Sequence, residues 1–115
     1  MYQDLRVWQK SIELVKEIYK LTEKLPNREN YVLSDQMRRA AISIPSNIAE
    51  GSGRSSRSEY KRFVEIARGS QYELQTQLYI CNELKFLTES DTEKANELIV
   101  ETGKMLNNLI KELCE

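Results

Sequence analysis

The chain has 115 residues, 40% hydrophobic and 30% charged, with 17 basic and 18 acidic side chains, no histidine, 2 cysteines, 2 prolines and 4 glycines. That length gives one domain, able to bury about two-thirds of its unfolded surface without a metal or disulfide staple. So few turn residues exclude an all-β sandwich. The missing histidine excludes Cys/His zinc sites, Ser-His and Cys-His catalytic pairs and Glu-x-x-His di-iron bundles.

The first helical segment is expected over about residues 5–24. Trp8, Ile12, Val15, Tyr19 and Thr22 step by four and three along one face, and Leu14, Ile18, Leu21 and Leu25 form a second stripe beside it. Two stripes make a wide apolar arc, which calls for burial against more than one neighbour. Pro26 and Asn27 stop the segment.

A second helix is expected over about 31–51. Leu33, Met37, Ala40, Ala41, Ile44 and Ile48 form its apolar face, and Ser34 and Asp35 read as early-turn or capping residues. Pro45 lies inside the pattern, where a lost donor and a clash with the Ala41 carbonyl predict a kink or break. Gly51-Ser52-Gly53 is expected to end the helix through a left-handed C′ residue.

The third helix is expected over 56–86, opened by the capping box Ser56-Arg57-Ser58-Glu59. Tyr60, Phe63, Val64, Ala67, Gln71, Leu74, Leu78 and Cys81 form a heptad-like seam. Gly69 and Ser70 at its centre suggest close packing against a facing helix, with a local bend. A fourth helix is expected over 91–114, behind a second box, Ser90-Asp91-Thr92-Glu93, with Ala95, Leu98, Ile99, Thr102, Met105, Leu106, Leu109 and Leu113 inward. Short loops between long helices give an all-α, antiparallel up-and-down four-helix bundle spanning residues 1–115.

Charge is uneven. Residues 34–70 carry 7 basic and 4 acidic groups, and residues 71–115 carry 4 and 9. Arg54, Arg57, Lys61 and Arg62 gather at the second turn and the start of the third helix, where a helix N-terminus already attracts anions. Arg38, Arg39 and Arg68 add to them. The cluster reads either as phosphate contacts to RNA or DNA, or as a solvated surface paired with Asp35, Glu50, Glu59 and Glu65.

Other motifs are bland. Glu13/Glu17 and Glu93/Glu97 are expected to be solvated pairs, since a catalytic pair needs a pocket. Gly51-Ser52-Gly53-Arg54 lacks the spacing of a phosphate loop. Cys81 and Cys114 are expected to be free, reduced thiols. The polar start and the lack of an apolar run of ~20 residues predict a cytoplasmic chain with no membrane partner. No metal, cofactor or catalytic residue is expected.

Three stretches carry a resemblance: Asp4-Leu5-Arg6-Val7-Trp8-Gln9-Lys10, the run from Gln36 to Gly51 containing Arg38-Arg39-Ala40-Ala41-Ile42-Ser43-Ile44-Pro45, and Arg62 to Ser70 followed by Glu73 to Leu78. Together they resemble the four helix bundle protein family, also called 23S rRNA intervening-sequence proteins, over nearly the whole chain. The resemblance implies a small bacterial, non-enzymatic bundle assembled as a ring-shaped homopentamer. It also implies a relation to the accessory variability determinant of diversity-generating retroelements, which binds nucleic acid and a reverse transcriptase.

Two readings follow. In the first, the ring associates with nucleic acid through Arg38, Arg39, Arg54, Arg57, Lys61 and Arg62. In the second it is a scaffold, or an accessory subunit for a protein such as a reverse transcriptase. A ring contact would bury the surplus stripe of the first helix, placing Leu14, Ile18 and Leu21 at the subunit interface.

Overall fold

Heptad-spaced apolar residues on four segments build four helices that pack side by side. In the computed structural model, which describes residues 1–29 and 32–114, these are α1 (Arg6–Thr22), α2 (Leu33–Ser52), α3 (Arg57–Glu83) and α4 (Glu89–Leu113). Single 3₁₀ turns at Tyr2–Asp4 and Asn27–Glu29 precede α1 and α2. Each helix packs on two others, in the cyclic order α1–α2–α3–α4, giving a rod of 44 × 24 × 21 Å. No strand occurs among the described residues.

The core runs the length of the rod. Leu14, Ile18, Met37, Ile44, Ile48, Leu74, Leu78, Ile99 and Leu106 are its largest fully buried apolar side chains. The α3 seam is as expected from Val64 through Ala67, Gln71, Leu74 and Leu78 to Cys81, all buried. At its N-terminal end Tyr60 and Phe63 are only half-buried. Cys81 and Cys114 are free thiols. Cys81 lies 3.6 Å from the Met37 sulfur, and burial, with Glu29 nearby, pushes its thiol up to about 11. That protonated thiol is a packing group, not a nucleophile.

Several local features differ from the sequence expectation. The expected start of the second helix at Tyr31 lies outside the described residues, and the helix begins at Leu33 with no side-chain cap. Pro45 is buried inside α2, which runs through it without a break. The end of α2 uses no left-handed glycine, since Gly53 caps it at φ −87°. Instead Gly51 allows a close approach: a Cβ there would come within 2.8 Å of the Phe63 Cβ. Gly69 faces no helix, and a Cβ on it would meet nothing within 4 Å.

The helix caps are also informative. Ser56 accepts from the Glu59 amide at 3.1 Å, so half of the first expected box forms. The second box sits two residues earlier than expected. Thr88 accepts from the Asp91 amide, and Asp91 accepts from the Thr88 amide. Asp91 also pairs with Lys24 of the α1–α2 connection at 3.0 Å. These partners, the Thr88 amide foremost, hold its carboxyl below the usual carboxylate range. The end of α3 is closed by a Schellman turn, in which the Phe86 amide reaches the Cys81 carbonyl and the Lys85 amide reaches Asn82. Lys85 occupies the left-handed position there, at φ 62°, where glycine is usual.

Candidate nucleic-acid interface and assembly faces

The α2–α3 turn places Arg54 just beyond α2 and Arg57, Lys61 and Arg62 on the first turns of α3, all at one end of the rod. Arg38 and Arg39 belong to the other half of α2. About 24 Å separates Arg38 from Arg54 at 1.5 Å per residue. The six basic residues therefore form two groups, not one patch.

Most of these cations already have partners. Arg38 donates to the Thr22 hydroxyl at 3.0 Å and lies over the Tyr19 ring. Arg39 pairs with Asp35 at 3.0 Å. Arg54 pairs with Glu50 at 3.2 Å and stacks over Phe63. Arg57 donates to the backbone carbonyl of Glu112, in the last turn of α4. Arg68 donates to Asn107. Among the described residues, Lys61 and Arg62 make no ion pair. The expected pairings to Asp35 and Glu50 are present, and those to Glu59 and Glu65 are not.

The interface assignment from the sequence is corrected by burial. Leu14 and Ile18 are 0% exposed and Leu21 is 3% exposed, all inside the bundle core. They have no surface left to offer a second chain. The two stripes of α1 are reversed: the surplus one is Trp8, Ile12, Val15 and Tyr19, half-buried or exposed. The i, i+3/i+4 spacing detected both stripes but could not rank them, because both are apolar and continuous.

That outer stripe forms one wall of an apolar groove. Trp8, Ile12 and Val15 of α1 face Ile42, Pro45 and Ala49 of α2 across a cleft of about 320 Å³. Tyr2 closes its lower end and stands edge-on to Trp8, with ring centroids 5.5 Å apart. On α3, three apolar residues not singled out in the sequence, Ile66, Ile80 and Leu84, are 45%, 38% and 56% exposed, with Gly69, Glu73 and Thr76 on the face between the two isoleucines.

The acidic outer face of α4 carries Glu89, Glu93, Glu97 and Glu101 along a shallow depression with Val100. Glu101 also pairs with Lys10 at 3.2 Å, and Glu13 joins at 3.3 Å. These carboxylates raise the Lys10 ammonium pKa above its ordinary value. The expected solvated pair Glu13/Glu17 is half wrong, since Glu17 is 7% exposed, with Lys20 3.8 Å away. No group of three or more Cys, Asp or Glu side chains among the described residues is placed to hold a metal. Among the described residues, no helix is long and apolar enough to cross a membrane.

Known proteins were compared with this geometry. A solved protein of unknown function from the S23 ribosomal protein family of Bacteroides thetaiotaomicron is similar, with 29% identity and a TM-score of 0.84. The match covers 91% of this chain and 98% of that one. No curated protein matches the chain. The model of the 23S rRNA-intervening sequence protein family matches residues 3–108. With four helices in the arrangement of that solved relative, the chain belongs to the 23S rRNA-intervening sequence protein family.

Proposed function

We propose that the protein is a non-enzymatic, self-assembling four-helix bundle that associates with nucleic acid, RNA first, through the basic end formed by the α2–α3 turn. The observation that carries this reading is the grouping of Arg54, Arg57, Lys61 and Arg62 around the N-terminus of α3, with Lys61 and Arg62 unpaired among the described residues. Backbone amides at a helix start and nearby cations suit phosphate. Such contacts fix position on an RNA without reading its sequence. Arg38 and Arg39 would contribute as a second, weaker group at mid-rod.

Assembly amplifies a weak site. A ring of five copies repeats the basic end around one rim, so contacts too weak singly act together. The test is the native mass of the purified protein together with its A260/A280 ratio, before and after a high-salt wash. The expected result is an oligomer whose ratio falls with the wash. A nucleic-acid-free protein that leaves structured rRNA fragments unshifted at low salt would overturn the reading.

A second reading is a protein-interaction scaffold, for example an accessory subunit of a reverse transcriptase. It is favoured by the ladder Glu89, Glu93, Glu97 and Glu101, which suits a basic protein surface. Recovery of a protein partner that needs this ladder and no nucleic acid would favour it.

A further inference from the structure

Two tyrosines of α3 stay outside the core. Tyr72 is 54% exposed and Tyr79 is 65% exposed. One exposed aromatic ring on a surface needs no explanation. These two share a face with cations. Lys61, Arg68, Tyr72 and Tyr79 step by seven, four and seven residues, which aligns them along one side of the helix. That side begins at the basic end of the rod, where Arg57 and Lys61 stand.

The side faces α4, which adds charge to it. Arg57 donates to the Glu112 carbonyl and Arg68 to the Asn107 side chain at 3.1 Å, so α4 runs antiparallel beside this side of α3. Midway the two helices come close: a Cβ on Gly103 would stand 3.1 Å from the Gln71 amide nitrogen. Tyr72 and Lys104 are the next residues after that contact pair, and both are exposed. Lys111 follows Lys104 by seven residues, about 10 Å nearer the basic end. Lys61, Arg68, Lys104 and Lys111 outnumber Glu65 along this half of the α3–α4 seam. Past Tyr79 the sign reverses, with Glu83 on α3 and Glu89 and Glu93 at the start of α4.

We infer that the α3–α4 seam is a track for a single-stranded stretch of RNA, whose bases stack on Tyr72 and Tyr79 and whose phosphates follow Lys61, Arg68 and Lys104. Cations beside exposed aromatic rings suit this ligand, because every base offers a π-face and no particular sequence is needed. A duplex keeps its bases stacked inside and offers the rings none. The two tyrosines are about 10 Å apart along the helix, three steps of a stacked strand at ~3.4 Å. The Tyr79 hydroxyl donates to Glu83 at 3.0 Å, which ties down the edge of that ring while the residue stays exposed. The carboxylates beyond it repel phosphate and end the track. This rests on the nucleic-acid reading above and adds the form of the RNA and the surface that takes it.

Binding of an unstructured RNA oligomer and of a fully paired RNA duplex of the same length tests it. Wild type is expected to bind the single strand more tightly. Tyr72→Ala/Tyr79→Ala is expected to weaken single-strand binding at least about tenfold, and to leave duplex binding and the salt slope unchanged. Tyr72→Phe/Tyr79→Phe keeps both rings and is expected to bind like wild type. Lys104→Ala is expected to lower the salt slope by about one phosphate contact. Circular dichroism and native mass check that each variant is folded and assembled as wild type is. An alanine variant that binds the single strand like wild type, a phenylalanine variant that loses as much as the alanine one, or a wild type that prefers the duplex overturns the track while the nucleic-acid reading stands. Weaker binding that only follows a fall in native mass assigns the tyrosines to another role and also overturns it. A wild type that binds neither RNA overturns both.

Discussion

Arg57 at the start of α3 donates to the carbonyl of Glu112 at the end of α4, tying two helix ends that are remote in sequence. A guanidinium at a helix C-terminus satisfies an orphan carbonyl and complements the dipole. Arg57 thus has a structural task, which Arg62 does not share. Arg57→Ala is expected to lower stability by about 0.5–1 kcal/mol, measured by urea unfolding. Lys61→Ala/Arg62→Ala is expected to leave stability within about 0.5 kcal/mol, as surface substitutions do, and to weaken RNA binding uniformly across sequences.

Burial separates the two stripes of α1. Leu14→Ala empties fully buried volume and is expected to cost about 2–5 kcal/mol. Ile18→Asp places a charge in the same core and is expected to unfold the chain. Ile12→Ala, in the half-exposed stripe, is expected to cost far less. Thermal melts of the three variants check the order. Equal costs at Leu14 and Ile12 would mean that the stripes are not assigned correctly.

Glycines at two positions make opposite predictions. Gly51→Ala forces a methyl against Phe63 and Tyr60, and overpacking of this kind costs about 1–3 kcal/mol. Gly69→Ala adds a methyl in open space on a helix and is expected to stabilise the separate chain by about 0.5–1 kcal/mol. Lys85→Gly is also expected to stabilise, because Lys85 holds a left-handed conformation costing about 1 kcal/mol. That gain corresponds to about 4 °C in Tm for a domain of this size.

Acid sensitivity centres on Asp91. Its folded pKa is depressed by the Thr88 amide and Lys24, so its contribution is present above the ordinary carboxylate pKa and lost as pH falls through the folded value. Asp91→Asn is expected to be less stable than wild type near neutral pH and to converge with it in acid. Lys10 behaves in the opposite sense: its raised pKa gives a contribution that disappears only as pH rises through the folded value. Thr88→Ala removes the cap itself and is expected to cost about 1 kcal/mol at neutral pH.

The helices and their inner seams were legible because apolar residues recur at helical spacing, as along Val64, Ala67, Gln71, Leu74, Leu78 and Cys81. Caps were less so: Thr88 and Ser90 both stand three residues before an acidic side chain, and only packing chooses between them. Gly69 was misread because tertiary context decides what a helical glycine faces, and at Pro45 the helix continues where a break was one of the two expected outcomes. The basic residues are visible in the sequence, but which of them are already engaged depends on the hydroxyl, carboxylate or carbonyl that each one meets in the fold. The pairing of Arg57 with Glu112 joins residues 55 positions apart and has no local signature.

The most direct test of the central claim is the affinity for a structured rRNA fragment measured against salt concentration, for wild type and the Lys61→Ala/Arg62→Ala variant. The account predicts a steep linear fall in log affinity with log salt, and a slope smaller by about two phosphate contacts in the variant. Identical slopes for the two proteins, or binding indifferent to salt, would contradict it.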